Sequence, residues 1–146
     1  MRYDVAYDLA KQLEVETTAD VEISAQQGIY PTITKYGMAA LLPHKDLSVV
    51  ENTGSTKVLI DGHSSEMADR DGILKSYSEN SVALKYKDLM SMKRDERRAA
   101  VKGKDIIYIY HDTIDASSHN DETTVFDACY RANHEIKNLV NMICSE

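Results

Sequence analysis

Asp105-Ile106-Ile107-Tyr108-Ile109-Tyr110, running into His111-Asp112-Thr113-Ile114-Asp115-Ala116-Ser117-Ser118-His119-Asn120, is the stretch that decides the fold class. A continuous apolar run of strand length, bounded by polar residues, fits a strand buried on both faces, as in a parallel sheet. The polar segment 111–120 then reads as a loop. Beyond it, 121–144 carries Val125, Phe126, Cys129, Ala132, Ile136, Leu139, Val140 and Ile143 at a 3.6-residue period, predicting a long amphipathic helix.

Working back from the run, Met92 to Lys102 is dense in charge and reads as an exposed helix stopped by Gly103. Residues 82–86 read as a strand and 69–78 as a helix. Lys57 to Ile60 is a short strand closed by the turn pair Asp61-Gly62. Thr34 to Leu42 is a short helix ended by Pro43, reached through a connection from Gly28. Val21, Ile23 and Ala25 alternate with polar residues, predicting a half-buried strand over 20–26. Residues 3–14, with Val5, Leu9 and Leu13 four apart, predict an amphipathic helix. Strands alternating with helices imply an α/β domain: a layered, mostly parallel sheet flanked by helices. In such sheets ligands sit beyond the carboxyl ends of strands, which points to 27–34 and 111–120.

At 146 residues the chain is one domain's worth, and 42% apolar with 28% charged residues is ordinary for a globular protein. A net charge of −7 argues against gripping nucleic acid through charge alone. No run is long and apolar enough for a membrane span, and the first residues do not form a signal peptide, so the expected location is cytoplasmic. Cys129 and Cys144 fall about 22 Å apart along one helix, too far for a bridge, and read as buried thiols. Both ends open directly in helical patterns, which suggests a piece truncated at both ends.

Two segments hold the useful side chains. Tyr30-Pro31-Thr32-Ile33-Thr34-Lys35-Tyr36-Gly37-Met38-Ala39-Ala40-Leu41-Leu42-Pro43-His44 sets two hydroxyls ahead of a helix start, where a phosphate can meet backbone N–H groups. Thr34 is then a nucleophile or, with Thr32, a helix cap. Lys35 holds a phosphate or is merely solvated, and Gly37 permits close approach or tight packing. In the second segment Asp115 and His119 form a D-x-x-x-H pair, a partial ligand set for Zn²⁺ or Mn²⁺, or simply a polar loop. His63 and Glu66 read better as a polar surface loop than as metal ligands. Lys93 to Arg98 mixes signs and suits a solvated helical face.

Taken together, Arg2-Tyr3-Asp4-Val5-Ala6, the Pro31 to His44 stretch, Val58-Leu59-Ile60-Asp61-Gly62 and Ile107 to Ala116 resemble the PglZ family in order and over nearly the whole chain. That family is the phosphatase-like component of BREX phage-defence systems, within the alkaline phosphatase superfamily. The resemblance implies part of an alkaline-phosphatase-like fold with two divalent metals, Zn or Mn. Thr34 matches the nucleophile and a metal contact, and Asp115 and His119 match ligands of one metal. It implies in-line attack on phosphorus and a phospho-enzyme intermediate. It also places an Asp just before Arg2, and an Asp-His pair with a further His after Glu146, so that this chain alone is expected to be inactive. The position of His119 is not reliably His within the family. Implied partners are other BREX components, with a second copy pairing at an exposed sheet edge. A non-catalytic scaffold and a phosphodiesterase or nuclease acting on DNA are the alternatives.

Overall fold

A computed structural model describes residues 3–52, 54–118 and 125–145. The chain divides into two compact units, one from 26–84 and 103–109, the other from 1–25, 85–102 and 110–146.

In the first unit, α2 (Thr34–Ala40) is followed by β1 (Leu47–Asn52), β2 (Ser55–Ile60), β3 (His63–Ser64) and α3 (Arg70–Tyr77). The strands form one antiparallel sheet in the order β1-β2-β3. Leu47 lies opposite Ile60, and Ile60 in turn opposite His63. The second turn follows from Asp61-Gly62. Both residues take positive φ, 51° and 83°, the geometry a two-residue hairpin needs. The core gathers Ala39, Leu42, Val58, Ile60 and Ile73, with Tyr36, Leu47 and Tyr108 packed against it. Small residues on α2 let the helix approach β2 closely, and Ala39 is fully buried.

The expectation of a mostly parallel sheet is corrected here. The parallel element is a two-stranded pair of β4 (Ser81–Lys85) and β5 (Ile106–Tyr110). The residues leading into the two strands lie side by side: the Asp105 N–H donates to the Asn80 carbonyl at 2.9 Å. Neither face of β5 is fully covered, and Ile106 is 37% exposed. The continuous apolar run is therefore half-buried rather than interior, with no element among the described residues fully covering either face.

Residues 20–26 do not form a strand. Val21 and Ile23 are half-buried and Glu22 and Ser24 exposed, so the alternation holds, but no described strand pairs with them. Alternation alone sets which side chains turn inward; a ladder also needs a partner.

The second unit contains α1 (Tyr3–Glu16), α4 (Tyr86–Ser91), α5 (Arg94–Val101), α6 (Thr113–Ser118) and α7 (Val125–Cys144). α7 packs on both α1 and α6. Fully buried Ala128 and Ala132 permit the close contact. Asn133 Nδ2 donates to Asp8 Oδ2 at 3.1 Å, and Lys137 Nζ pairs with Glu16 at 2.7 Å. α5 is mostly exposed, as its mixed charges predict, and Glu96 accepts the Lys93 N–H at 2.9 Å to close its first turn.

The predicted α7 stripe holds at Cys129, Ala132, Ile136, Leu139, Val140 and Ile143, which are buried or half-buried, and fails at Val125 and Phe126. Ala128, Ala132, Asn133 and Leu139 are buried, whereas Phe126 is 90% exposed. The two thiols are free, as their spacing requires, but not buried: Cys129 is half-buried and Cys144 exposed. Among the described residues no helix is long and apolar enough to cross a membrane.

Candidate functional site

The Pro31 segment enters α2 through a tight turn. Ile33 N–H donates to the Pro31 carbonyl at 2.8 Å, and the Ile33 carbonyl accepts from Tyr36 and Gly37 at 3.0 and 3.1 Å. Ile33, in extended backbone (φ −94°, ψ 139°), is thus the N-cap, and no side chain caps the helix. Thr34 is the first helical residue. It is exposed, and its hydroxyl makes no hydrogen bond to the described residues. Neither Thr32 nor Thr34 serves as the cap.

Lys35 is also exposed. Its Nζ donates to the Thr56 carbonyl on β2 at 2.9 Å and lies 5.4 Å from the Tyr36 ring centre. One of the three ammonium donors is thereby committed, which holds the charge near the start of α2. A Cβ at Gly37 would meet nothing within 4 Å, so packing does not demand glycine there.

Asp61 has a different occupation. Its Oδ1 accepts the N–H groups of Lys45 and Asp46 at 3.0 and 2.7 Å, and Oδ2 accepts the Tyr77 hydroxyl. The Tyr77 hydroxyl first, then the Asp46 N–H, holds this carboxyl below the usual carboxylate range. The same bond pushes the Tyr77 hydroxyl up. With both oxygens used, Asp61 ties the hairpin to the 45–46 loop and to α3. It borders a cavity of about 420 Å³ that Ile60, His63, Asp69, Ile73 and Ser76 also line. His63 and Glu66 are exposed, in keeping with a polar surface.

In the other unit, the segment expected to be a loop contains α6 instead. The Ala116 N–H donates to the Asp112 carbonyl at 2.9 Å, closing its first turn. Asp115 is exposed on that turn. His119 lies outside the described residues. Asp112 pairs with Lys87 at 2.8 Å, and this contact keeps its carboxyl below the ordinary range.

Behind α6 stands a cluster that sequence reasoning did not find. Glu135 Oε2, on α7, lies 2.7 Å from both His111 Nε2 and Thr113 Oγ1. The Tyr86 ring meets the His111 ring edge-on at 4.7 Å between centres. Burial first, then the Glu135 charge, raises the Tyr86 hydroxyl. Glu135 is 24 residues from His111, and no motif links them in sequence.

Chemically, Asp115 is a hard oxygen donor of the kind a divalent cation takes. One donor does not make a site, and among the described residues no group of three or more His, Cys, Asp or Glu could hold a metal ion. Thr34 and Lys35 belong to one unit and Asp115 to the other.

Across residues 1–146 the chain matches the family model described as the BREX system PglZ alkaline phosphatase-like domain. The chain belongs to this family. It is 39% identical over 146 residues to the alkaline phosphatase-like protein BrxZ of Escherichia coli O9:H4 (strain HS), a match covering 98% of this chain and 16% of that protein. To the alkaline phosphatase-like protein PglZ of Bacillus cereus (strain H3081.97) it is 37% identical over 145 residues, covering 98% of this chain and 17% of the relative. It therefore spans only a small part of the length of these curated relatives. No solved structure matches it significantly.

Proposed function

We propose that this chain supplies the nucleophile segment and part of the metal-binding segment of a phosphate-ester hydrolase acting in BREX defence. The observation that carries the reading is the hydroxyl of Thr34: exposed, on the first residue of a helix, and unused by capping or by any described side chain. An unused hydroxyl beside a tethered lysine suits attack on a phosphate ester. Thr34 Oγ would form the bond to phosphorus as the ester P–O bond breaks, the hydroxyl proton leaving and the departing oxygen gaining one. Water would then cleave the threonyl phosphate and restore the hydroxyl. The Lys35 ammonium would neutralise charge on the phosphoryl oxygens. Asp115, joined by His119, would hold a Zn or Mn ion. Such a cation lowers the pKa of a hydroxyl it contacts and balances the phosphoryl charge. The intact protein would work among other BREX components in the cytoplasm, and the free edge of β1 would let two copies pair.

The test assays the intact protein on a chromogenic phosphate monoester and diester, with and without Zn²⁺ or Mn²⁺. Thr34→Ala is expected to lower turnover about a thousandfold or more, and Asp115→Asn to abolish its metal dependence. Unchanged turnover in Thr34→Ala refutes the nucleophile. Absence of metal-dependent turnover in the wild type would leave a non-catalytic scaffold as the function. Faster turnover of the diester, or of DNA ends, would identify a phosphodiesterase.

A further inference from the structure

We propose that the cavity between the β2–β3 turn and α3 binds a short aliphatic amine in its ammonium form. The site uses none of the residues assigned to phosphate chemistry above and does not depend on them. Both walls belong to one compact unit. Ile60, Asp61 and His63 supply one wall. Asp69, Gly72, Ile73 and Ser76 supply the other, at the three- and four-residue spacing that puts side chains on one face of a helix. Gly72 lies inside the eight-residue α3, where glycine is the poorest choice after proline. Its φ is not positive, so backbone conformation does not require glycine. A Cβ there would meet nothing within 4 Å, so packing does not require it either. The effect of glycine at this position is to leave the cavity wall without a side chain.

The chemistry of the walls selects the ligand. None of the lining residues is Lys or Arg, so an anion would meet Asp61 and Asp69 with no lining cation to offset them. Asp61 has both oxygens engaged by Lys45, Asp46 and Tyr77, and it contributes fixed negative charge rather than a new bond. The Asp69 carboxylate, by contrast, makes no hydrogen bond or ion pair among the described residues, although Asp69 is the N-cap of α3. Ser76 spends its hydroxyl proton on the Ile73 carbonyl at 2.7 Å and keeps its lone pairs. The cavity is therefore negative and rich in acceptors, and an ammonium brings three donors and no acceptor. Ile60 and Ile73 form an apolar floor but are already buried, so a short stem gains what contact they still offer. At about 420 Å³ the space is at the small end of ligand pockets, which suits a small molecule.

The experiment titrates n-butylammonium into the intact protein and follows the ligand by saturation-transfer NMR, with butanoate and butanol as controls of similar size. Butylammonium is expected to bind with a Kd of about a millimolar, and both controls at least about tenfold more weakly. Asp69→Asn removes the charge without breaking a described contact and should weaken binding about tenfold or more. Gly72→Leu fills the wall with a good helix former and should weaken it by about as much. Gly72→Ala, which takes less of the space, should give a smaller loss and stands in for a Gly72→Leu protein that fails to fold, with circular dichroism reporting folding. Loss in both positions together with weak binding of the controls supports the site. Wild-type affinity in Asp69→Asn or in the folded Gly72 variants overturns it, the second because the amine then pairs with an exposed carboxylate outside the cavity. Binding of butanoate or butanol as tight as that of the amine, or no binding of the amine at all, overturns it as well.

Discussion

Asn133 offers the sharpest test of how the helical unit is held. The residue is 2% exposed on α7. Its Nδ2 donates to Asp8 Oδ2 at 3.1 Å and, weakly, to the Val5 carbonyl at 3.5 Å. Its Oδ1 is buried and finds no partner among the described residues. Two effects therefore oppose each other in Asn133→Leu. Losing a hydrogen bond to a charged group costs about 1.5–3 kcal/mol, whereas removing an unpaired buried acceptor returns about 1–3 kcal/mol. Asp8 is exposed and can turn to solvent once the amide is gone. The side chains are similar in shape, so the expected net change is within about 1 kcal/mol. Asn133→Asp is the counterpart: it buries a carboxylate beside that of Asp8, which should cost about 3–5 kcal/mol. Urea unfolding followed by circular dichroism measures both. A cost of about 2 kcal/mol or more for Asn133→Leu would mean that Oδ1 is paired in the folded protein, and the argument would fail.

Two further outcomes follow from the geometry. Asp61 titrates below its ordinary range when folded, so its contribution to stability is present above the unfolded carboxylate pKa of about 3.9 and is lost as pH falls through the folded value. The stability gap between wild type and Asp61→Asn should accordingly close below about pH 4, and a gap that widens in acid would contradict the assignment. Cys144 is exposed and Cys129 half-buried, so a thiol reagent should modify Cys144 first; equal rates would place both thiols at the surface.

Much of this was legible from residues alone, and the reasons are local. α1, α3, α5 and α7 form where the apolar period or the charge pattern predicts them, because helical hydrogen bonds close within four residues. Strands fared differently. β1, Leu47-Ser48-Val49-Val50-Glu51-Asn52, was not foreseen; Val49 and Val50 are adjacent and 50% and 45% exposed, so no clean alternation marks it. Residues 20–26 show the reverse case, alternation without pairing. The candidate nucleophile came from a contiguous motif, whereas the carboxylate that His111 and Thr113 share did not. Glu135 looks like any other carboxylate on a helix until the chain folds back 22 residues to Thr113.

What the sequence determined by itself is the family, the helices α1, α2, α3, α5 and α7, and the residue types available for chemistry, since each is written in neighbouring positions. Tertiary structure alone decided the direction of strand pairing, the exposure of Phe126 at the start of α7, and the partners of Asp61, His111 and Glu135. Those depend on contacts between segments far apart in the chain. Their strength comes from burial and geometry, which no local pattern encodes.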